Sequence, residues 1–242
     1  MKKNILTLSL FLFTSSFLFS QNDTIRTSYK VDLTGVLNQV NGSSRTTLNF
    51  NALNTVKWKK FESSVSTDYQ LVSNDGTNAV NDFTVRLQPR IIDKKYSIFS
   101  FGQLSSLESK KITQRFEGGL GGGLTAYKVG DLLQVNLSYA TLFYNNNFQD
   151  LTNRNGFRHS PRIVIYGKSE KSKISYSAEA FYQPAFTDVN DYILRTKSTI
   201  GFDLNKKFTI TLMYNTWFES YYILGAINDV KTFTVGTSFK ID

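Results

Sequence analysis

The last 35 residues alternate between apolar and polar side chains almost to the end of the chain: FTITLMYNTWFESYYILGAINDVKTFTVGTSFKID. Phe233, Val235 and Phe239 fall on one face of an extended chain, and Thr234 and Ser238 fall on the other. Successive side chains of a β-strand point to opposite faces, so this period predicts a strand between two different environments. If one of these environments is a lipid membrane, the terminal strand must pair with another strand, because an unpaired strand edge in hydrocarbon leaves backbone groups without hydrogen-bond partners.

The same two-residue period recurs along most of the chain. Aromatic residues make up 14% of the sequence and there are only three prolines, a composition that favours strands. No segment shows a 3.6-residue apolar period, so we expect no helix after the first twenty residues. The sequence predicts twelve strands, near residues 27–39, 45–58, 61–72, 82–92, 96–106, 113–127, 131–144, 157–168, 173–184, 190–204, 207–218 and 230–241.

The first twenty residues differ from the rest. Lys2 and Lys3 precede an apolar run from Ile5 to Phe19, the pattern of a signal peptide. The alternative, a transmembrane anchor, needs about 20 apolar residues, and this run is shorter. We therefore predict a signal peptide at 1–20, cleaved after Ser20, and one domain at 21–242.

The predicted connections alternate in character. One set is longer and rich in Asn, Asp and Ser: QVNGSS, VSNDGTNAVN, SLESKKI, NNNFQDLTNRNG, PAFTDVND and ESYYILGAIND. The interleaved set is short and rich in lysine: KK, DKK, KVG, SEKS and NKK. Short turns at one rim and longer loops at the other are typical of outer-membrane barrels. The sequence therefore predicts an all-β fold, a single antiparallel up-and-down transmembrane β-barrel of about twelve strands.

Charged residues lie on the polar faces of the predicted strands. In a barrel whose apolar faces meet lipid, these side chains point into the lumen, where unpaired charges are costly and ion pairs are expected. Aromatic residues near the segment ends, among them Trp58, Tyr96, Tyr144 and Trp217, suit the two interfacial girdles. The predicted lumen-lining residues are Lys30, Asp32, Glu62, Asp68, Arg86, Arg90, Arg115, Glu117, Glu179, Arg195 and Lys197.

Signatures of catalysis and of cofactor binding are weak. The chain has no cysteine, and its one histidine, His159, adjoins Ser160, whose side chain would point to the opposite face of a strand. The glycine run FEGGLGGGL precedes a turn and a strand rather than a helix, which argues against dinucleotide binding. Its predicted role is to let the strand bend and to leave room for bulky neighbours. We predict no catalytic, cofactor or metal site.

Parts of the sequence resemble a known family. These are RFEGGLGGGLTAYKVGDLLQVNLSYATLFY, the stretch KISYSAEAFYQPAFTDVNDYILRTKSTIGFDLNKKFTITLMYN, and the ending DVKTFTVGTSFKI. They are similar to the salt-induced outer-membrane proteins grouped as domain of unknown function 481. The resemblance implies an outer-membrane β-barrel and no established reaction. The signal sequence also resembles those of the Bacteroidota.

The favoured function is therefore a non-enzymatic outer-membrane barrel, either structural or a narrow pore for ions or small solutes. Two alternatives stay open: a lipid-modifying hydrolase of the outer membrane, and a soluble periplasmic ligand-binding barrel. The expected partners are outer-membrane lipid and, during insertion, the barrel-assembly machinery. Positive charges are spread along the chain without a cluster, so no nucleic-acid partner is expected. We expect a monomer.

Overall fold

A computed structural model describes residues 25–40, 43–74, 77–169, 171–205, 207–221 and 229–241. These residues form twelve strands and one short 3₁₀ turn. Their bounds are β1 (Ile25–Val40), β2 (Ser43–Trp58), β3 (Phe61–Asn74), β4 (Thr77–Asp93), β5 (Tyr96–Leu107), the 3₁₀ turn (Glu108–Lys110), β6 (Ile112–Val129), β7 (Leu133–Phe148), β8 (Asn153–Ser169), β9 (Ile174–Pro184), β10 (Tyr192–Asp203), β11 (Phe208–Glu219) and β12 (Asp229–Ile241).

The strands close into a barrel. Each strand pairs antiparallel with its neighbour in sequence, and β12 returns to pair with β1. In that closing pair, Val31 lies opposite Phe239 and Asp32 lies opposite Ser238. Closure gives every strand a partner on both sides and leaves no sheet edge. The predicted all-β, up-and-down barrel of twelve strands is confirmed.

Apolar and polar side chains separate between the outside and the inside of the barrel. On the outer face, Ile98 and Leu120 are 64% and 65% exposed. On the inner face, Arg115 and Ser238 are each only 1% exposed. In water the hydrophobic effect favours the opposite arrangement, with the apolar rows inside. The outer surface therefore suits lipid, and the interior suits water and paired charges.

The two rims of the barrel differ in their connections. At the turn rim, which also carries both ends of the barrel at Ile25 and Ile241, adjacent strands are joined by short turns. Lys59, Lys94 and Lys173 in these turns have positive φ angles of 52°, 53° and 55°. The opposite end, the loop rim, carries the longer connections after β9 and β11.

Three predicted loops at the loop rim are mostly strand. β1 ends at Val40 and β2 begins at Ser43, β3 ends at Asn74 and β4 begins at Thr77, and β7 ends at Phe148 and β8 begins at Asn153. Their Asn, Ser and Asp residues indicated loops, but the backbone pairing continues, with Val40 opposite Ser43 and Asn74 opposite Thr77. Backbone pairing does not require apolar side chains, so these segments lack the alternation by which strands were recognised.

The connection after β5 also departs from the prediction of no helix. Glu108–Lys110 form one 3₁₀ turn, which ends at Lys111 in the left-handed conformation, with φ at 53°. Asp82 holds this turn by accepting hydrogen bonds from the Ser109 backbone N–H and hydroxyl, at 3.0 and 2.5 Å. None of the described helical residues belongs to a helix long and apolar enough to span a membrane. The predicted signal peptide lies outside the described residues.

Candidate functional site: the charged interior of the barrel

The loop-rim half of the interior contains a compact cluster of charges, here called the arginine layer: Lys110, Arg115, Glu117, Arg195, Trp217 and Glu219. Glu219, at the end of β11, is the shared acceptor. Its Oε1 lies 3.2 Å from Arg115 Nη1, 3.5 Å from Lys110 Nζ and 2.9 Å from Trp217 Nε1, which donates to it. Arg115 Nε also donates to Asn146 at 2.8 Å, so its guanidinium is fixed in place.

The indole of Trp217 packs against three cations of the arginine layer. Lys110 Nζ, Arg115 Cζ and Arg195 Cζ lie 4.5, 5.8 and 4.0 Å from its ring centroid. Cations over an indole face are attracted by the ring quadrupole, most strongly away from water. Trp217 was predicted to belong to an interfacial girdle, and this was wrong. The indole instead lies inside the barrel, where it supports buried cations.

Lys110 reaches the arginine layer from the 3₁₀ turn outside the strands. Its side chain is only 4% exposed. Burial lowers the pKa of the Lys110 amine below its ordinary value, and the nearby Arg115 and Arg195 act in the same direction, while Glu219 opposes them. The layer thus holds three cations against two acids, Glu117 and Glu219.

A second ion-pair cluster lies beside the arginine layer, under the loop that joins β9 to β10. Asp191 pairs with Arg154 and with Arg158, whose Nη2 donates at 2.8 Å. Arg158 Nη1 also donates to the backbone oxygens of Gln183 and Asp191, at 3.0 and 2.9 Å. Its guanidinium lies 4.7 Å from the ring of Tyr144, which was also wrongly predicted as a girdle residue. These contacts tie the loop to the barrel wall.

The turn-rim half of the interior is open by comparison. One cavity of about 450 Å³ is lined by polar residues that include Lys30, Lys168 and Asp131. A second, of about 380 Å³, has Arg90 and Arg162 in its lining. The interior therefore consists of a packed half with ion pairs and a roomier half with exposed charged groups.

The predicted lumen residues take up several kinds of contact. Glu62 pairs with Arg90, and also with Lys57 at 2.9 Å. Lys30 pairs with Asp32 at 2.8 Å, and Asp32 also accepts from Ser238. Their role in lining a conducting lumen stays a prediction.

The remaining predicted residues meet neutral as well as charged partners. Arg86 donates to Gln103 Oε1 at 2.8 and 2.5 Å, and Asp68 accepts from Asn51. Arg195 lies 3.5 Å from Glu117. Lys197 lies opposite Glu179 in the β9–β10 register.

Sequence reasoning missed several members of these clusters. Arg158 and Arg162 could have been found, because they share the strand parity of Ser160 in FRHSPRIVIYG. Glu179 was predicted, but its observed partner is Arg162, at 2.6 Å. Asp191 lies in the predicted strand 190–204 on the same face as Arg195 and Lys197, so it could have been found. Glu219 lies one residue beyond the predicted strand 207–218, where the two-residue period was not read. The side chain of Lys110 comes from a predicted loop, so no pattern indicated that it is buried.

The glycine run of β6 makes room for aromatic side chains of β5. A Cβ atom on Gly119 would lie 2.7 Å from Phe101 Cε1, and one on Gly121 would lie 2.8 Å from Phe99 Cζ. Both distances are too short for real contacts. The two phenyl rings therefore lie against the wall of the interior because β6 lacks side chains there.

His159 and Ser160 point to opposite faces of β8. The His159 ring stacks on Phe186, with ring centroids 3.9 Å apart, and its Nδ1 shares a hydrogen bond with the Tyr139 hydroxyl. Ser160 is buried inside and accepts from Gln183 Nε2 at 3.0 Å. None of the hydrogen bonds among the described residues joins His159 to a serine. The residues the structure describes likewise contain no cluster of three His, Asp or Glu side chains that could hold a metal.

Several solved outer-membrane proteins share this fold. The NanC porin is 12% identical at a TM-score of 0.57, covering 87% of this chain and 100% of its own. The KdgM porin in complex with disordered oligogalacturonate is 13% identical at 0.52, covering 88% and 99%. An outer membrane channel from Pseudomonas putida F1 is 10% identical at 0.51, covering 89% and 93%. The fold is therefore that of a porin-like outer-membrane β-barrel.

The sequence comparisons add no family. No protein-family model matches this chain, and no curated protein matches it.

Proposed function

We propose that this protein is a non-enzymatic channel of the bacterial outer membrane that passes small solutes and prefers anions. The observation that carries the proposal is the charge of the 380 Å³ cavity in the turn-rim half. Its lining contains Arg90, Lys94, Lys95 and Arg162, and no Asp or Glu among the described residues. A cleft lined by charges of one sign focuses the field and raises the local concentration of counter-ions.

The ion pairs of this cavity reduce its charge without cancelling it. Glu62 neutralises Arg90, and Glu179 neutralises Arg162, so these two arginines contribute mainly hydrogen-bond donors. Lys94 and Lys95, in the turn between β4 and β5, supply net positive charge at the mouth. The short turns of outer-membrane barrels lie on the periplasmic side, so anions in the periplasm would meet an attractive entrance.

The arginine layer sets the expected size limit. Its side chains fill much of the loop-rim half, and the cavity beside it measures only about 50 Å³. We therefore propose a low conductance and the exclusion of bulky solutes. The fold itself is compatible with an anionic solute, since the KdgM porin has been solved in complex with oligogalacturonate, an acidic oligosaccharide.

Reconstitution in planar bilayers tests the proposed channel. With a KCl gradient across the bilayer, we expect single-channel current steps. The reversal potential should have the sign expected for a channel that prefers chloride to potassium. Bilayers treated with detergent alone provide the control. A barrel that gives no current would contradict the proposed channel, and a reversal potential of the opposite sign would contradict the anion preference.

Location and partners form a separate part of the proposal. We propose that the chain is exported by a cleaved signal peptide, inserted by the barrel-assembly machinery, and held in outer-membrane lipid as a monomer, without cofactor or nucleic acid. The apolar outer face supports lipid as the surrounding medium. Membrane fractionation should recover the protein in the outer membrane. Its recovery in a periplasmic extract without detergent would contradict the proposal.

Membership of the salt-induced family with domain of unknown function 481 is proposed from sequence resemblance alone, as is an origin in the Bacteroidota. Expression measured with and without added salt would test the first: a barrel of this family is expected to rise in abundance, and an unchanged level would speak against it.

A further inference from the structure

A small cavity lies near mid-height in the barrel, here called the mid-barrel cavity. It shares Glu117 and Arg195 with the arginine layer, and Gln88 and Arg162 with the 380 Å³ cavity, so it lies between them. Its volume is about 50 Å³. A water-sized sphere needs about 10–15 Å³ by this measure, so the space admits about three to five such spheres.

Two arginines of this lining have buried N–H groups that no described residue accepts. These groups are Nε and Nη2 of Arg195 and Nε of Arg162. The nearest acid to Arg195 Nη2 is Glu117, whose Oε1 is 3.5 Å away, a charge contact rather than a well-formed hydrogen bond. Arginine cannot give up its proton in a protein, so these donors stay charged and require an acceptor.

The charges around the mid-barrel cavity sum to a positive excess. Arg86, Arg162 and Arg195 line it, and Glu117 is the acid among the described lining residues. Glu179 compensates Arg162 from outside the lining, whereas Arg86 donates to the neutral Gln103. A positive excess remains in a confined space, where an uncompensated buried charge is costly.

Aromatic rings hold the two donor arginines in place. Arg162 Cζ lies 4.8 Å from the ring of Phe181, and Arg195 Cζ lies 4.0 Å from that of Trp217. Phe99 and Phe101 add apolar surface to the cavity wall. Apolar walls lower the local dielectric and strengthen each N–H contact to a negative charge.

One neutral side chain can add a further donor. Gln183 lines the cavity, and its Oε1 is buried without a partner in the described part of the chain, while its Nε2 donates to Ser160. The Ser160 hydroxyl can donate as well as accept, so the amide can be reversed without losing this hydrogen bond. The reversed amide presents its NH₂ group in the position of the unpartnered oxygen.

We propose that the mid-barrel cavity is a binding site for one halide-sized monovalent anion, chloride in the cell. The N–H groups of Arg162 and Arg195 bind the ion, and Arg86 contributes charge. The site lies in the proposed channel but does not require that ions pass, because a barrel that conducts nothing could still hold the ion. Binding at equilibrium therefore tests the site separately from conductance.

Crystals of the wild-type protein grown or soaked in bromide test the location directly. We expect an anomalous bromide peak within hydrogen-bond distance of both Arg162 and Arg195, and its loss when chloride is added in excess. Data that show only water between the two guanidinium groups would overturn the proposal, as would a bromide confined to the outer surface. This measurement needs no variant and does not depend on how a substitution affects folding.

Chloride binding in solution tests the donors. The excess ³⁵Cl NMR linewidth of the detergent-folded barrel, titrated with chloride, gives the affinity. Arg195→Gln and Arg162→Gln should each weaken binding about tenfold, the effect of losing one charge-assisted hydrogen bond. Arg162→Lys, which keeps the charge but lacks Nε, should also weaken it.

Arg154→Gln is the matched control, because Arg154 pairs with Asp191 outside the mid-barrel cavity. It should leave the affinity unchanged. Equal affinity in the control and in Arg195→Gln and Arg162→Gln would overturn the site, whatever the bilayer recordings show.

Discussion

The two halves of the barrel interior use the same residue types in different ways. Arg115 in the loop-rim half and Lys30 in the turn-rim half both lie on the polar face of a strand and both pair with an acid. Their side chains are 2% and 38% exposed, respectively. Arg115 is fixed by Glu219 and Asn146 and acts as a packed core group. Lys30 borders a cavity of about 450 Å³ and remains available to solution.

Strand parity thus decides which face a charge occupies, but not what the charge does there. In the loop-rim half, Trp217, Tyr144 and the loop ending at Asp191 fill the interior and desolvate the ion pairs. In the turn-rim half the neighbouring interior side chains are small, among them Ser177, Thr199 and Gly201. We expect the buried ion pairs to determine the stability of the barrel and the exposed cations to determine the electric field that acts on solutes.

The largest expected effect follows from removing the shared acid of the arginine layer. Glu219→Gln leaves Arg115 and Lys110 without their common carboxylate, so we expect a loss of about 3–5 kcal/mol in the free energy of unfolding. Urea unfolding of the folded barrel in lipid vesicles, followed by tryptophan fluorescence, measures it. Asp229→Asn is the control, because its partner Lys231 is exposed. Equal stability of the two variants would remove the distinction between packed and exposed charges.

A smaller loss of stability is expected where glycine makes room for an aromatic ring. Gly119→Ala places a methyl group against Phe101 and the Thr141 carbonyl, and should cost about 1–3 kcal/mol. Gly102→Ala, on the neighbouring strand, has no atom within 4 Å of the new methyl and should be neutral. The same unfolding assay compares them. Two neutral substitutions would show that the glycine run is not needed for packing.

The pH dependence of stability should reveal the buried amine of the loop-rim half. Burial lowers the pKa of Lys110 below the ordinary 10.5, so between the two values the unfolded chain binds more protons than the folded chain. Stability should therefore rise with pH in the window below 10.5. Lys110→Met should lose this rise when both proteins are unfolded across that range. If Lys110→Met keeps the wild-type dependence of stability on pH, other titrating groups cause the rise.

The smallest effect on stability is expected at the mouth of the turn-rim half, where only selectivity should change. Lys94→Asn with Lys95→Gln removes two positive charges, and Asn tolerates the left-handed conformation at position 94. The reversal potential in a KCl gradient should move towards zero, while the unfolding transition stays in place. A shifted unfolding transition with an unchanged reversal potential would contradict the roles proposed for the two halves of the interior.

The fold was largely predictable from the sequence because the membrane imposes a regular requirement. All twelve strands were predicted, and Phe61–Asn74 and Tyr96–Leu107 begin at the predicted residues. Each strand must present apolar side chains to lipid at every second position, and this requirement produces the two-residue period of the sequence. The predicted strand ends were less accurate at the loop rim, where β4 begins five residues before its predicted start and β7 ends four residues after its predicted end.

The interior was less predictable because its contacts join residues far apart in sequence. Arg115 and Glu219 are 104 positions apart, and no local pattern links them. Directly opposed residues do pair in one case, Lys57 and Glu62 in the β2–β3 register. The arginine layer instead forms across the interior, where side-chain length and the bulk of Trp217 decide the partners.

The apolar exterior and the wet, cation-rich interior of the barrel can be tested at two adjacent residues. Ser177 lines the 450 Å³ cavity, and Ala178 is on the opposite face of β9. The native chain has no cysteine, so Ser177→Cys and Ala178→Cys each carry a single thiol. In proteoliposomes, a membrane-impermeant anionic thiol reagent should modify Ser177→Cys rapidly, faster than its cationic counterpart does, and leave Ala178→Cys unmodified. Rapid modification of Ala178→Cys with protection of Ser177→Cys would contradict the account.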